Sequence, residues 1–442
     1  MSSELGIEPV EQPIVPLRFE RAIVIGSGMG GIAAAAALRE NCDDVVVLEK
    51  DEIPTQPISR RGVPQDEQLH NLLTRSQRHL EELLPGFCEA LSQRGAGSAT
   101  VSTETHVYEL GVQMPERDIG LRLMSAWRPV IEYVARGILL DSKNIAFQGL
   151  SRVTGLVASD GKVEGVKLED NKRLEAPLVI DATGTGSKAH KWFRELGIEE
   201  PRVDSLEVNQ WYVSMLLNRP ADFEDRNSFW LTFPTPLKTR GGLVSPVGTD
   251  NWYVSLSGRS QDTPPKSFDE MKQYAATLEE SSIAKLLDNA QPLSSPNLFR
   301  KARATWRRYD LLADPLSGFL PLGDSIASLN PLFGQGMSVA SWQAAELADL
   351  LKKHESLTLK ELTTAYLGRA AVASEAAWSL GDLVNAETRE TLTPDYWEKL
   401  ATAIRKDADL HRQYVGVWHL IEPASTLYSP AFLDRIERAI KT

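Results

Sequence analysis

Groups able to hold a phosphate-bearing ligand are concentrated in three short stretches of this sequence. In the first, Gly26, Gly28 and Gly31 fall at the spacing G-x-G-x-x-G within Gly26-Ser-Gly-Met-Gly-Gly31, and Glu49 follows downstream. The first glycine permits a tight turn. The second lets the backbone, with Met29 and Gly30 beside it, approach a pyrophosphate, and the third lets a helix pack closely on its strand. The unpaired amides and positive end of that helix then face the phosphates. Glu49, with Lys50 next to it, stands where a carboxylate accepts hydrogen bonds from an adenosine ribose. The alternative is a glycine-rich turn in an unrelated α/β protein. The second stretch is Asp181-Ala-Thr-Gly184, an acid beside glycine where an open α/β sheet places its ligands. The third joins Gly323-Asp324 to Asn330-Pro331-Leu-Phe333-Gly334-Gln335-Gly336-Met337. There Asp324 faces a polyol or phosphate, and the glycine-rich turn aims another helix start at an anion. That second helix start favours FAD over NAD, because a reduced flavin needs donors for the negative charge of its N1/O2 edge.

Other side chains are weaker candidates. Arg60 and Arg61 lie in a loop rich in proline and glycine just after the nucleotide unit, within reach of phosphates or ring oxygens; the plainer reading is a solvated surface pair. Arg128 at a helix start is suited to a phosphate or to the surface. His70 sits among leucines, where a packing role competes with a cofactor contact. Trp211, Trp230 and Trp252, with Phe333, are candidates to line a substrate pocket, against the alternative of ordinary sheet core. No serine–histidine or cysteine–histidine arrangement suggests a side-chain nucleophile. The seven histidines show no metal-binding helix pattern, and Cys42 and Cys88 are too few for a cysteine-built metal site.

The elements that must position these groups follow from periodicity. Ala22 to Ile25 reads as a buried strand, the alanine-rich run to Leu38 as a helix, and Val45 to Glu49 as a second strand. Leucines at helical spacing predict a helix over 67–84, ended by Pro85-Gly86. His106 to Met114 alternates like one half-buried strand, and Arg128-Pro129 opens a helix. Leu150 to Asp181 reads as a β-meander turning at Asp160-Gly161. Alternation around Trp211, Phe229 and Trp252 predicts an inserted antiparallel sheet, covered by a helix over 268–287. From Leu357 onward the pattern is helical, broken at Pro394 and Pro423. The fold class is α/β: a Rossmann-like FAD-binding domain with an inserted antiparallel β-sheet substrate domain and a C-terminal helical region. Expected boundaries are an N-terminal tail (1–18), FAD-binding parts at 19–105, 122–200 and 299–355, a substrate-domain strand at 106–121, a substrate-binding sheet at 201–298 and the helical region at 356–442.

The net charge of −12 argues against nucleic acid or an anionic membrane as the main partner. No apolar run approaches the roughly 20 residues that span a bilayer. The acidic start lacks the basic and apolar parts of a signal peptide, so the cytoplasm is the expected location.

With three motifs in order, the chain resembles the FAD-dependent monooxygenases of the aromatic-hydroxylase superfamily. It is most similar to the branch carrying Arg60-Arg-Gly-Val-Pro-Gln65, which includes bacterial epoxidases of polyene and polyether precursors. The resemblance implies that Gly26, Gly28 and Gly31 hold the pyrophosphate, Glu49 the ribose, Arg128 the pyrophosphate and Asp324 the ribityl chain or pyrophosphate. Asp181 and Gly184 match a second nucleotide-associated motif. Pro331 and Gly334 to Met337 lie under the pyrimidine edge, and Arg61 and Gln65 approach the isoalloxazine. The branch usually has two histidines spaced by one residue after this loop; here Gln68 replaces the first and His70 remains.

The implied reaction delivers one oxygen atom from O2, through a flavin C4a-hydroperoxide, to a hydrophobic small molecule by epoxidation or hydroxylation, in secondary metabolism. No catalytic side chain is assigned. Electrons come from NAD(P)H or from a separate flavin reductase, since only one G-x-G-x-x-G is present. The alternatives are a flavin dehydrogenase or reductase, a halogenase, whose Trp-x-Trp-x-Ile-Pro signature is absent, and a non-catalytic flavoprotein that assembles through its helical tail.

Overall fold

The structure, a computed structural model, describes residues 17–60, 69–223, 227–234, 239–353, 357–385 and 392–441. The chain enters through β1 (Phe19–Ile25), crosses α1 (Met29–Leu38) and returns in β2 (Cys42–Leu48). Next come β3 (Leu69–Leu72), α2 (Thr74–Leu83), α3 (Phe87–Ser92), β4 (Gly97–Thr100), β5 (Thr105–Glu109), β6 (Val112–Gln113) and β7 (Arg122–Trp127). Helix α4 (Arg128–Leu140) leads to β8 (Ile145–Gln148), β9 (Val153–Ser159), β10 (Lys162–Leu168), β11 (Arg173–Glu175), β12 (Leu178–Asp181) and α5 (Ala189–Leu196). The long β13 (Arg202–Asn218) begins a run of β14 (Phe229–Thr232), β15 (Gly241–Val247) and β16 (Asn251–Arg259), then α6 (Phe268–Ala275) and α7 (Ser282–Asn289). Strands β17 (Asn297–Arg308), β18 (Phe319–Pro321) and β19 (Ala327–Ser328) precede α8 (Gly336–Lys353), α9 (Leu359–Asn385), α10 (Pro394–Lys406), α11 (Ala408–Trp418) and α12 (Pro430–Lys441).

Five parallel strands in the order β18-β12-β1-β2-β8 form the nucleotide-binding sheet. Its apolar strands are buried on both faces, as parallel sheets require. Helix α1, made largely of alanine and glycine, is sandwiched between this sheet, α4 and α8. Small residues let those backbones come close. The expected α/β class is therefore borne out, with the helical region at 357–441 appended.

A second, eight-stranded sheet runs β19-β17-β13-β16-β15-β14-β5-β6, antiparallel except where β14 meets β5. β5 and β6, from the stretch expected to add a strand to the substrate domain, form one edge, while β17 and β19, largely beyond the expected 201–298, form the other. A small sheet, β3-β7-β4, lies against β15. The predicted meander is present as the antiparallel set β11-β10-β9, turning at Asp160 and Gly161 with φ of 49° and 71°. The run from Leu178, read as a buried strand ending in Asp181, is β12 of the parallel sheet.

Three local expectations change. The predicted helix over 67–84 begins only at Thr74, because Leu69–Leu72 pairs with β7 and uses its leucines as strand residues. The predicted strand over 106–114 is a hairpin, since Leu110 and Gly111 take φ of 56° and 78° and reverse the chain. The predicted helix over 268–287 is two helices. Glu280 accepts from the amide of Ser282 at 2.9 Å and so caps a fresh helix start.

Candidate cofactor site

The β1–α1 turn behaves as its glycines demand. Gly26 has φ of 101°, and a Cβ there would lie 2.7 Å from the Ala182 carbonyl oxygen. A Cβ on Gly31 would fall 1.8 Å from the Gly26 oxygen, a position no side chain can take. Gly28 caps α1 with no side-chain hydrogen bond, leaving the first amides of the helix for an anion.

At the end of β2, the Glu49 carboxylate accepts from the Ser27 amide at 3.0 Å, the Ser27 hydroxyl at 2.8 Å and the Asp51 amide at 3.2 Å. Arg60 reaches the same carboxylate at 3.1 Å and Glu132 at 2.5 Å. Burial acts to raise the Glu49 carboxyl, but Ser27 and Arg60 outweigh it and hold it below the usual range. Arg60 is thus neither a solvated surface residue nor distant from the nucleotide unit: its side chain is 6% exposed. Arg128 donates from Nε to Glu132 at 2.9 Å, and both lie within 4 Å of where a Gly28 Cβ would stand. Lys50, by contrast, points at Asp51 on the half-exposed rim, 3.9 Å away.

Asp181 serves the turn that follows it. Its carboxylate accepts from the Thr183 amide and hydroxyl at 3.0 and 2.5 Å, and from the Ser187 hydroxyl at 2.6 Å. These bonds fix Gly184, whose φ is 70° and whose amide donates to Ser325 at 2.9 Å. The second stretch is therefore tied to the third. Asp324 is half-buried at the end of β18, a Cβ on Gly184 would lie 3.8 Å from its Cβ, and one on Gly336 would lie 3.8 Å from its Oδ1. Burial raises the Asp324 carboxyl, opposed by the charges of Lys301, Arg128 and Arg307. Lys301 hydrogen-bonds to Ser328, and Arg307 donates to the Asp324 carbonyl at 3.4 Å.

The turn before α8 is a single 3-10 turn, Pro331–Phe333, held by Asn330 accepting from the Leu332 amide at 3.1 Å. Gly334 closes it at φ of 63°, which glycine adopts without strain. Gln335 is buried and donates to the Trp418 carbonyl at 3.0 Å, and Met337 packs against the main core. The helical region thus grips this turn from behind. Phe333 stacks on Trp418 with ring centroids 4.9 Å apart, so its ring belongs to that contact and not to an open pocket.

The tryptophan candidates also move. Strand neighbours directly opposite one another share a face. The pairs Trp211 with Gly258, Val213 with Leu256 and Leu217 with Trp252 put both tryptophans on the side packed by α6 and α7. They are 1% and 0% exposed, and Trp230 stacks on His106 from that same side. Gly258 makes the room: a Cβ there would meet the Trp211 ring at 2.4 Å. The other face carries Tyr212, Ser214, Tyr253, Ser255, Phe299 and Lys301. A cavity of about 500 Å³ opens there, lined by Trp127, Ser214, Leu216, Tyr253, Ser294 and Asn297 among others. Trp127, which lines the cavity, immediately precedes Arg128 at the start of α4. His70 is half-buried on β3 opposite Ala126. Arg61, Gln65 and Gln68 lie outside the described residues.

Sequence reasoning passed over Ser27, Glu132, Lys301, Arg307 and Gln343, whose Oε1 accepts from the Gly323 amide at 2.6 Å. Glu132 alone carried a signal, its spacing of four from Arg128 on one helix. Among the described residues no group of three or more His, Cys, Asp or Glu side chains could hold a metal. No helix among them is long and apolar enough to cross a membrane.

These groups fit FAD. An uncapped α1 start, a turn closed to any Cβ, an acid at the end of β2 and a second glycine-opened helix start beside Asp324 all lie at the carboxyl ends of the parallel strands. Comparison with known proteins agrees. Residues 22–192 match the family model for FAD dependent oxidoreductases. A Mycobacterium tuberculosis protein, Rv3254, is 28% identical over 90% of this chain and 86% of its own length. Squalene epoxidase 2 of Arabidopsis thaliana is 23% identical over 78% of this chain, which spans 56% of that longer protein. Among solved structures, PqsL, described as a probable FAD-dependent monooxygenase from Pseudomonas aeruginosa, superposes with a TM-score of 0.62 at 17% identity, over 90% of this chain and 99% of its own. The expected resemblance to flavin-dependent monooxygenases is borne out.

Proposed function

We propose that this chain is a flavin-dependent monooxygenase that transfers one oxygen atom of O2 to a hydrophobic small molecule, by epoxidation or hydroxylation. The observation that carries this is the convergence of two glycine-opened helix starts and Asp324 at one end of the parallel sheet, with a cavity on the adjoining antiparallel sheet. Bound FAD supplies the electrons and the site at which dioxygen is activated. The chain's own groups bind, orient and exclude water. Glu49 takes the ribose hydroxyls, the α1 amides and Arg128 take the diphosphate, and Asp324 takes the ribityl hydroxyls or the diphosphate. First-turn amides of α8 face the flavin's pyrimidine edge, where fixed donors stabilise negative charge without reorganising. Arg61 and Gln65, outside the described residues, are assigned to the ring by the resemblance alone.

The substrate rests against the face bearing Tyr212, Ser214, Tyr253 and Phe299. Trp127 and Tyr253, in edge contact at 5.5 Å, give that space an aromatic corner. The curated relatives that are epoxidases of squalene support a hydrophobic substrate. Electrons reach the flavin from NAD(P)H or from a separate reductase.

The test uses purified full-length protein with FAD, a reductant and isotopically labelled O2, offered alkene and phenol candidates. One labelled oxygen per product molecule is expected. Flavin that binds and reoxidises without ever labelling a product would overturn the reaction, and protein that binds no FAD would overturn the cofactor.

A further inference from the structure

We propose that Glu132 is a positioning residue of the diphosphate site, holding two arginines so that they act as one anion receptor. The inference rests on the reading that FAD occupies this site. Glu132 lies on α4, one turn beyond Arg128, and its side chain is only 4% exposed. A carboxylate beside a site for a dianionic diphosphate is unfavourable unless something gives it a purpose. Here each of its oxygens has a separate task. Oε1 accepts from Arg128 Nε at 2.9 Å, and Oε2 accepts from Arg60 at 2.5 Å. The Arg60 guanidinium also spans to Glu49 at 3.1 Å and to the Ser27 hydroxyl at 3.2 Å. One arginine therefore ties the acid at the end of β2 to the acid on α4, across the glycine turn between them.

Further along the same helix face, Arg136 feels the charges of Glu132 and Arg60 and anchors on the Pro54 carbonyl at 2.8 Å. Arg60 and Arg128 thus pair directly with Glu49 and Glu132, and Arg136 lies within the field of Glu132. Without Glu132, Arg60 and Arg128 repel each other and lose a shared anchor. Its carboxylate makes two like charges tolerable at one spot and fixes their directions. Neither the glycine motif nor Arg128 alone supplies this.

The experiment measures affinities of the FAD-free full-length chain for FAD, ADP and adenosine, by calorimetry and by displacement of FAD. Wild type is compared with Glu132→Gln, which keeps one acceptor, and Glu132→Ala, which keeps none. The expected result is a loss of tenfold or more in FAD and ADP affinity for Glu132→Ala, a smaller loss for Glu132→Gln, and unchanged adenosine affinity. Adenosine lacks the diphosphate, so its retention also shows that the nucleotide site is folded. Equal losses for ADP and adenosine would mark a merely structural role and overturn the proposal. Tighter FAD binding by Glu132→Gln would overturn it too, because the carboxylate would then be acting only as a competing anion. A wild-type chain that binds none of the three ligands would overturn the cofactor reading itself.

Discussion

Gly31 shows how little freedom single residues have at this site. Because a Cβ there would meet a backbone oxygen at 1.8 Å, relief requires α1 to move off β1, and with it the amides that face the diphosphate. Gly31→Ala is therefore expected to yield protein with little or no bound flavin, measured as the ratio of flavin to protein absorbance after gel filtration. A substitution at Gly137, where an added Cβ meets nothing within 4 Å, is the matching control and should keep its flavin. At this scale the sequence was most legible. A glycine spacing expresses a steric requirement directly, as Gly26, Gly31 and Gly334 confirm. Arg60 and Glu132 were not legible in the same way, because their meeting depends on how α4 lies against the β2 end. Two residues 72 apart in sequence announce nothing about that.

Helices and strands were legible in kind more than in extent. Alternation along β13 identified a strand and its two faces, yet it did not say which face is covered by helices. That depended on α6 and α7 folding back over the tryptophan side. Trp211 consequently belongs to stability. It is 1% exposed, and its indole N–H donates to the carbonyls of Arg259 and Asp262 at 2.9 and 3.1 Å. Trp211→Ala should cost about 3–5 kcal/mol in urea unfolding, the usual scale for emptying a large aromatic site. FAD affinity should be unchanged. A large fall in FAD affinity with intact stability would place this face of the sheet at the site after all. The leucines at 69–73 illustrate the same limit, since spacing alone could not weigh a helix against the backbone pairing that β7 offers.

For the whole molecule, the contacts that the C-terminal helices make with the rest of the chain are where pH acts. His419 sits buried with its Nδ1 beside the Thr74 amide at 3.2 Å, and burial pushes it down to about 4. A histidine depressed in the folded state leaves the unfolded chain holding more protons, so its stability contribution is lost as pH falls from about 6.5 toward 4. Glu109 titrates in the opposite sense: burial pushes it up to about 7, partly countered by Tyr414. Its ionisation in the unfolded chain removes stability as pH rises from about 4.5 to 7. Each shift is worth about 3 kcal/mol across its window. Urea unfolding across pH should accordingly find Glu109→Gln more stable than wild type above pH 7 and level with it near pH 4.5. His419→Asn should lose less stability than wild type between pH 6.5 and 4. Parallel curves for all three proteins would refute both assignments.

The contact from Gln335 to the Trp418 carbonyl bears on biosynthesis. Its two partners are made 83 residues apart, so a nascent polypeptide emerges from the ribosome with the α8 turn complete and its brace still untranslated. The turn is braced only once Trp418 has been made, so a stop codon placed before Trp418 is expected to give a product that retains less FAD than the full chain.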